Sequence, residues 1–185
     1  KQETETALSI WGTVDILINN GAVIEPISLI EKLDAQNFET AARINYLAPS
    51  LLISYCWSNF VKNRGKVINI LSGASVNPIE GWAAYCSTKA ALNMINQQTH
   101  LEGEKYGISS IGISPGMVDT EMQGKIRASG VNQISKVKKE DLLNTKQPGL
   151  FALWCTSPQA NQFSGEMVSE NDPEVKAKYQ AWIKT

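Results

Sequence analysis

Histidine occurs once in this chain, at His100, and cysteine three times, at Cys56, Cys86 and Cys155, with no CxxC pair. A single imidazole excludes a multi-histidine metal site and leaves a Ser-His-Asp triad only one place to form. His100 falls in a helical stretch and reads as a partly exposed helix residue. Three scattered thiols make neither a disulfide framework nor a zinc site, so a reduced, cytoplasmic setting without a metal is expected. Charge of one sign is lacking too: 17 basic residues against 18 acidic ones give a formal net charge of -1. With no basic excess and no charged tail, nothing draws nucleic acid. No apolar run reaches the length of a bilayer span and no signal peptide is recognisable, so no membrane partner is expected. The first residue is Lys1 rather than Met, inside what reads as an amphipathic helix over 1–12. A stretch cut from a longer protein is the expectation.

What is present is a domain's worth of core: 185 residues, 43% of them apolar, enough for one domain over 1–185. VDILIN (14–19) reads as a buried strand closed by Asn20-Gly21. Asp34 is a candidate N-cap for a long helix that runs to residue 62, with Pro49 set to kink it, and Gly65 ends it. KVINIL (66–71) is a second buried strand, followed by a loop with Gly73, Pro78 and Gly81. A helix over 82–105, a third strand over 108–114, and the stop Pro115-Gly116 come next. Residues 117–145 are polar and predict a loop region with short helices. A helix after Pro148, a short strand near 166–168 and a surface helix from Pro173 complete the chain. Strands separated by crossover-length helices predict an α/β fold, a doubly wound parallel sheet covered on both faces. Ligands of such sheets bind beyond the C-terminal strand ends. The exits to inspect are therefore 19–21, 72–73 and 115–116.

Chemistry-bearing residues gather at those exits. In Tyr85-Cys86-Ser87-Thr88-Lys89, tyrosine and lysine four apart share a helix face, which brings an ammonium beside a phenol. A fixed cation favours phenolate and is expected to bring the pKa down from about 10. Such a phenol can give a proton to a carbonyl oxygen as hydride reaches the carbon, or take it back. The spacing alone is common in helices; its company matters more. Ser72, at the exit of KVINIL, can hold a substrate oxygen against Tyr85, or serve only as a turn or cap serine. Asn45, poorly suited to a helix interior, either contacts a neighbouring loop or holds a water in a proton path to Lys89.

INNGAV (18–23), RINYLAP (43–49), VINILSGAS (67–75), AAYCSTKAAL (83–92) and SPGMVDTEM (114–122) stand in this order on the predicted elements. The ordered set resembles the short-chain dehydrogenase/reductase family. The resemblance implies a Rossmann-like fold lacking its first β-α-β-α-β segment. It implies an oxidoreductase that moves hydride between a nicotinamide cofactor and a carbonyl substrate. Tyr85 is then the general acid/base, Lys89 lowers its pKa and holds the nicotinamide ribose, Ser72 orients the carbonyl, and Asn45 supports a proton relay. Asn20, Gly21 and Ala22 line the adenosine side of the cofactor. Pro115, Gly116, Val118 and Thr120 flank the nicotinamide. LSGASVNPIEGWAAY (71–85) and PGMVDTEMQGKIR (115–127) are similar to the sepiapterin reductase and benzil reductase branch, whose members reduce ketones and α-dicarbonyls with NADPH. NADP is accordingly expected over NAD. Trp82 and Met117 are candidate walls for a flat or apolar carbonyl, ordinary packing being their other reading. A 3-oxoacyl or sugar-alcohol dehydrogenase shares every catalytic residue named, and an inactive fragment or scaffold remains an alternative. Family members commonly form homodimers or homotetramers through two long helices, here about 34–62 and 82–105.

Three departures from the family pattern carry expectations of their own. The glycine-rich pyrophosphate turn is not among these residues, so the stretch alone is expected neither to bind cofactor tightly nor to turn over. The usual Asn-Asn-Ala-Gly reads Asn-Asn-Gly-Ala, which moves the permissive backbone position by one residue. Where sepiapterin reductases anchor a pterin with an acid, Ser169 stands with Glu170 beside it, which favours a simpler ketone or dicarbonyl.

Overall fold

The computed structural model describes residues 2–184; Lys1 and Thr185, at the ends of the first and last expected helices, lie outside them. In chain order the main elements are α1 (Gln2–Trp11), β1 (Ile16–Asn19), α2 (Ala35–Ala42), a π-helical segment (Arg43–Leu47), α3 (Ala48–Asn63) and β2 (Lys66–Ile70). There follow α4 (Ala83–Gly103), β3 (Ser109–Ile113), α5 (Glu121–Ser129), α6 (Lys146–Cys155), β4 (Met167–Val168) and α7 (Pro173–Ile183). The strands form one four-stranded sheet in the order β1-β2-β3-β4, every pair parallel. This is the α/β, Rossmann-like arrangement expected from alternating apolar runs and helices. Among the described residues no helix is long and apolar enough to cross a membrane.

Side chains alternate across the sheet, so its two faces feed separate cores. On one face Val67 joins Ile108 and the α3 residues Ile53, Cys56 and Phe60. On the other Ile68, Ile111 and Ile113 pack with Phe151 and Trp154 of α6 and Val175 and Tyr179 of α7. Burial of a side chain such as Phe151 contributes roughly 2–3 kcal/mol. β2 and β3 are covered on both sides, which is why they read as continuous apolar runs. β1 is covered on one side only: Ile16 and Ile18, on its other face, are 46% and 49% exposed. At the base of the sheet, buried Lys66 donates to Ser157 O at 2.6 Å and Cys155 O at 3.3 Å, tying β2 to the end of α6.

Several element ends differ from the expectation for physical reasons. The Asp34 cap holds, its carboxylate accepting from Asn37 N at 2.7 Å. The helix it opens widens, just before Pro49, into the π segment, where Ala48 N–H reaches back to Arg43 O. Pro49 has no N–H to offer the Asn45 carbonyl four residues earlier, and the wider turn absorbs the mismatch. α3 ends with Arg64 in the left-handed region, φ 54°, and a Cβ at Gly65 would collide with the Phe60 ring. α6 starts before Pro148 rather than after it, which a first-turn proline permits because those N–H groups have no intrahelical acceptor. The expected helix over 82–105 finishes as a 3-10 turn, Glu104–Tyr106. The polar stretch 117–145 folds as α5 and two short 3-10 turns, pinned by Leu143 N donating to Met117 O and Asp119 N to Leu143 O.

Candidate active site

A cleft of about 1130 Å³ opens where the strands end. Asn20, Gly21 and Ala22 line it after β1, Ser72 after β2, and Pro115, Gly116, Met117, Val118 and Thr120 after β3. Trp82, Tyr85 and Lys89 enter from α4. Every residue expected to touch cofactor or substrate therefore faces one space. Asn45 does not line it.

Ser72 sits in extended backbone and caps the 3-10 turn Gly73–Ser75, its Oγ accepting from Ala74 N at 3.2 Å. It also lies close enough to the Tyr85 phenol to favour its ionised form. The cap reading of this serine holds, and the residue stands on the cleft wall. Lys89 is almost fully buried, lies 5.8 Å from the centre of the Tyr85 ring, and donates from Nζ to Ile70 O at 2.6 Å. An ammonium has three donors, so this bond leaves two for another partner.

Electrostatics correct one expectation. Burial pushes the Tyr85 phenol above its ordinary value, with the Ser72 hydroxyl pulling the other way and Cys86 adding to the rise. Lys89 does not bring it down here, because burial also works against the ammonium and lowers its pKa to about 8. In a poorly solvated pocket each charged form is penalised. The phenol is consequently held neutral, the form that donates a proton.

Asn45 is wholly buried, and its side chain accepts from Val23 N at 2.8 Å while donating to Val23 O at 2.9 Å and Thr88 Oγ1 at 3.0 Å. No bond joins it to Lys89. The side chain braces the loop after β1 against α4, which is the loop contact that a mid-helix asparagine suggests.

The reversed Asn-Asn-Gly-Ala order puts no special backbone demand on Gly21. Gly21 is not among the residues with positive φ, and a Cβ there would meet nothing within 4 Å. The turn that does require glycine is at Gly116, φ 78°. Thr120 caps α5 without using its side chain as a cap, so its hydroxyl remains available on the cleft wall. Ser169 and Glu170 stay outside the cleft; Ser169 N donates to Asp172 at 2.7 Å, and the Gln147 amide donates to Glu170.

Around Trp82, one wall extends to residues that had no counterpart in the sequence reading. Trp82 meets Tyr85 edge to face, with ring centres 5.7 Å apart, and clusters with Ile24, Ile126, Met122 and Ile134. Gln123 lies beside them, nearly buried, and neither its Oε1 nor Trp82 Nε1 has a hydrogen-bond partner. The i, i+4 pair Met122 and Ile126 on α5 was the available signal. Trp82 and Met117 are both walls, but unequal ones: Trp82 is 5% exposed and Met117 is 43% exposed.

A dinucleotide fits these residues. The volume slightly exceeds the roughly 300–1,000 Å³ usual for small-molecule pockets. The buried Lys89 ammonium has donors to spare, and small residues floor the β1 exit. Among the described residues no cluster of side chains suits a metal ion.

A parallel α/β sheet with a phenol, an ammonium and a hydroxyl at its strand exits defines an oxidoreductase of the dehydrogenase type. The family model for short chain dehydrogenase matches residues 1–130, and the chain belongs to that family. Benzil reductase ((S)-benzoin forming) of Bacillus cereus is 40% identical over 136 residues, 69% of this chain and 50% of that protein. The enzyme of the same name in Bacillus subtilis is 36% identical over 132 residues, 69% of this chain and 54% of its own. Within the family the chain thus groups with the benzil reductase branch, and it spans about half the length of these curated relatives. A solved short-chain dehydrogenase/reductase from Saccharomyces cerevisiae superposes with a TM-score of 0.82 at 26% identity, over 94% of this chain and 72% of its own. The KRED1-Pglu enzyme gives 0.81 at 26% identity, over 89% and 72%.

Proposed function

We propose that this chain carries the catalytic residues of an NAD(P)H-dependent carbonyl reductase acting on apolar ketones or α-dicarbonyls, with NADPH preferred to NADH. The observation that carries the reading is the convergence of Ser72, Tyr85 and Lys89 in one cleft. A nicotinamide, when bound, supplies the hydride. Tyr85, kept neutral by burial, gives its proton to the carbonyl oxygen as negative charge develops there. Ser72 bonds both the phenol and the incoming oxygen, which fixes the distance over which that proton moves. Lys89 holds the cofactor ribose with its remaining donors. Protons return to Tyr85 by way of Lys89 and a water at the Asn45 carbonyl.

The wall of Trp82, Ile24, Met122, Ile126 and Ile134 favours an apolar carbonyl over a phosphorylated substrate, because it offers no cation to an anionic group. The benzil reductase relatives support the same substrate class. The partner of the exposed stripe Ile44, Leu47, Leu51 and Tyr55 is inferred to be a second copy of the chain.

The test is steady-state reduction of benzil by the full-length protein, with NADPH and with NADH. Tyr85→Phe is expected to lower kcat by about 10²–10⁴-fold while leaving NADPH binding nearly unchanged. Retention of more than a tenth of the parent rate would remove Tyr85 from the role of proton donor.

A further inference from the structure

α4, which carries Tyr85 and Lys89, has few means of gripping the sheet. Its buried residues are Ala84, Tyr85, Thr88, Lys89, Leu92, Asn96, Thr99 and Gly103. Only Leu92 among them is a large aliphatic side chain, and smooth apolar contact resists rolling weakly. Polar contacts do the gripping instead. Asn96 is fully buried; its Oδ1 accepts from Asn69 Nδ2 at 3.1 Å and Ser110 Oγ at 2.8 Å, and its Nδ2 donates to Glu166 O at 3.2 Å. Asn69 Oδ1 in turn accepts from Asn19 Nδ2 at 2.8 Å. Asn19 lies on β1, Asn69 on β2 and Ser110 on β3, while Glu166 immediately precedes β4. One side chain of the helix is therefore bonded directly to β2, to β3 and to the residue before β4, and through Asn69 to β1.

We propose that Asn96 is a positioning residue that fixes the rotation of α4, and with it the place of the Tyr85 phenol against Ser72. Asn96 follows Lys89 by seven residues, two turns later and about 20° from the same azimuth, so both point at the sheet. A phenol oxygen stands about 8 Å from its helix axis, and a roll of about 7° moves it by about 1 Å. A displacement of that size costs up to about 100-fold in rate. Directional bonds set such an angle; a leucine of similar volume fills the space without setting it.

The test uses the full chain and reads two quantities. The first is the titration midpoint of Tyr85, taken by tyrosinate absorbance as the difference between each variant and its Tyr85→Phe counterpart. The second is kcat and KM for the carbonyl reaction. Removing facing polar groups together limits unsatisfied partners, so the main variant is N69V/N96L/S110A. Its Tyr85 midpoint is expected to rise by about 0.5–1 pH unit as the Ser72 contact loosens. Its kcat should fall at least about tenfold, with KM for NADPH little changed. Ser110→Ala, which takes one bond from Asn96, should shift the midpoint less and in the same direction; it decides the matter where the triple variant does not fold. Thr99→Val is the control. Thr99 is also buried on α4, but its hydroxyl bonds only to Ile95 O of its own helix, at 2.7 Å, so it should leave the midpoint unmoved. A folded triple variant, or Ser110→Ala, with the parent midpoint would overturn the proposal, as would an equal shift in Thr99→Val. The kcat arm rests on the carbonyl reductase reading and the titration does not, so a shift without activity rejects that reading and keeps this one.

Discussion

Lys89 puts a positive charge where the fold solvates it poorly, and that conflict has a measurable pH signature. Its pKa is 10.5 in the ordinary state and about 8 in the fold, lowered by burial. Between those values the unfolded chain holds more protons at this position than the folded one, so the lysine makes stability rise with pH. Below about 8 both states are protonated and the slope disappears. Lys89→Met removes the titration. Relative to this variant, the parent is expected to gain about 2 kcal/mol between pH 7 and pH 10. Urea unfolding of both proteins at the two pH values measures the gain, and a parent that loses ground would refute the buried-charge account. The four-residue spacing was enough to place the ammonium beside the phenol. It carries no information on burial, which is why the sign of the Tyr85 shift was not legible in the sequence.

The π segment between α2 and α3 shows what a single proline does to a helix that must deliver a side chain. Without it, the Asn45 carbonyl would be bonded in the ladder and the next turn would close in register. With it, the chain gains a wider turn, and the Asn45 amide ties Val23 to Thr88. Asn45→Leu leaves the Val23 N–H and C=O without partners in a part-buried place. A loss of about 2–4 kcal/mol is expected, together with faster hydrogen exchange at the Val23 amide. An amide as protected as in the parent would show that the loop is held by something else. Elements with strong periodicity or clear punctuation, such as the Asp34 cap, the β2 run and the helix with Tyr85, were readable from sequence. The π segment, the early start of α6 and the α5 wall were not. The α5 wall depends on contacts between distant parts of the chain, which local pattern does not encode. A proline inside a helical pattern marks a disturbance without saying whether the helix bends, widens or starts there. The bonds of Asn96 to β2 and β3 were not legible either: an asparagine in a helix gives no sign of which strands it faces.

At the scale of the molecule, two apolar surfaces stand open. One is the β1 face with Ile16 and Ile18 and the free hydrogen-bonding edge of that strand; the other is the stripe from Ile44 to Tyr55. An exposed apolar strand edge and a contiguous apolar patch both favour association. The cleft, moreover, has walls from β1, β2, β3 and α4, but no helix N-terminus among its described walls presents a glycine-rich turn to a pyrophosphate. The 185-residue chain assayed by itself is therefore expected to self-associate and to hold NADPH more weakly than micromolar. Sedimentation velocity of that chain with NADPH present reads both at once. Concentration-dependent larger species should form, fewer of them in Leu51→Glu, and the cofactor absorbance should stay behind with the solvent. Micromolar NADPH moving with the protein boundary would mean that these residues already contain a sufficient dinucleotide site, with Lys89 and the β1 exit doing what a phosphate cradle otherwise does.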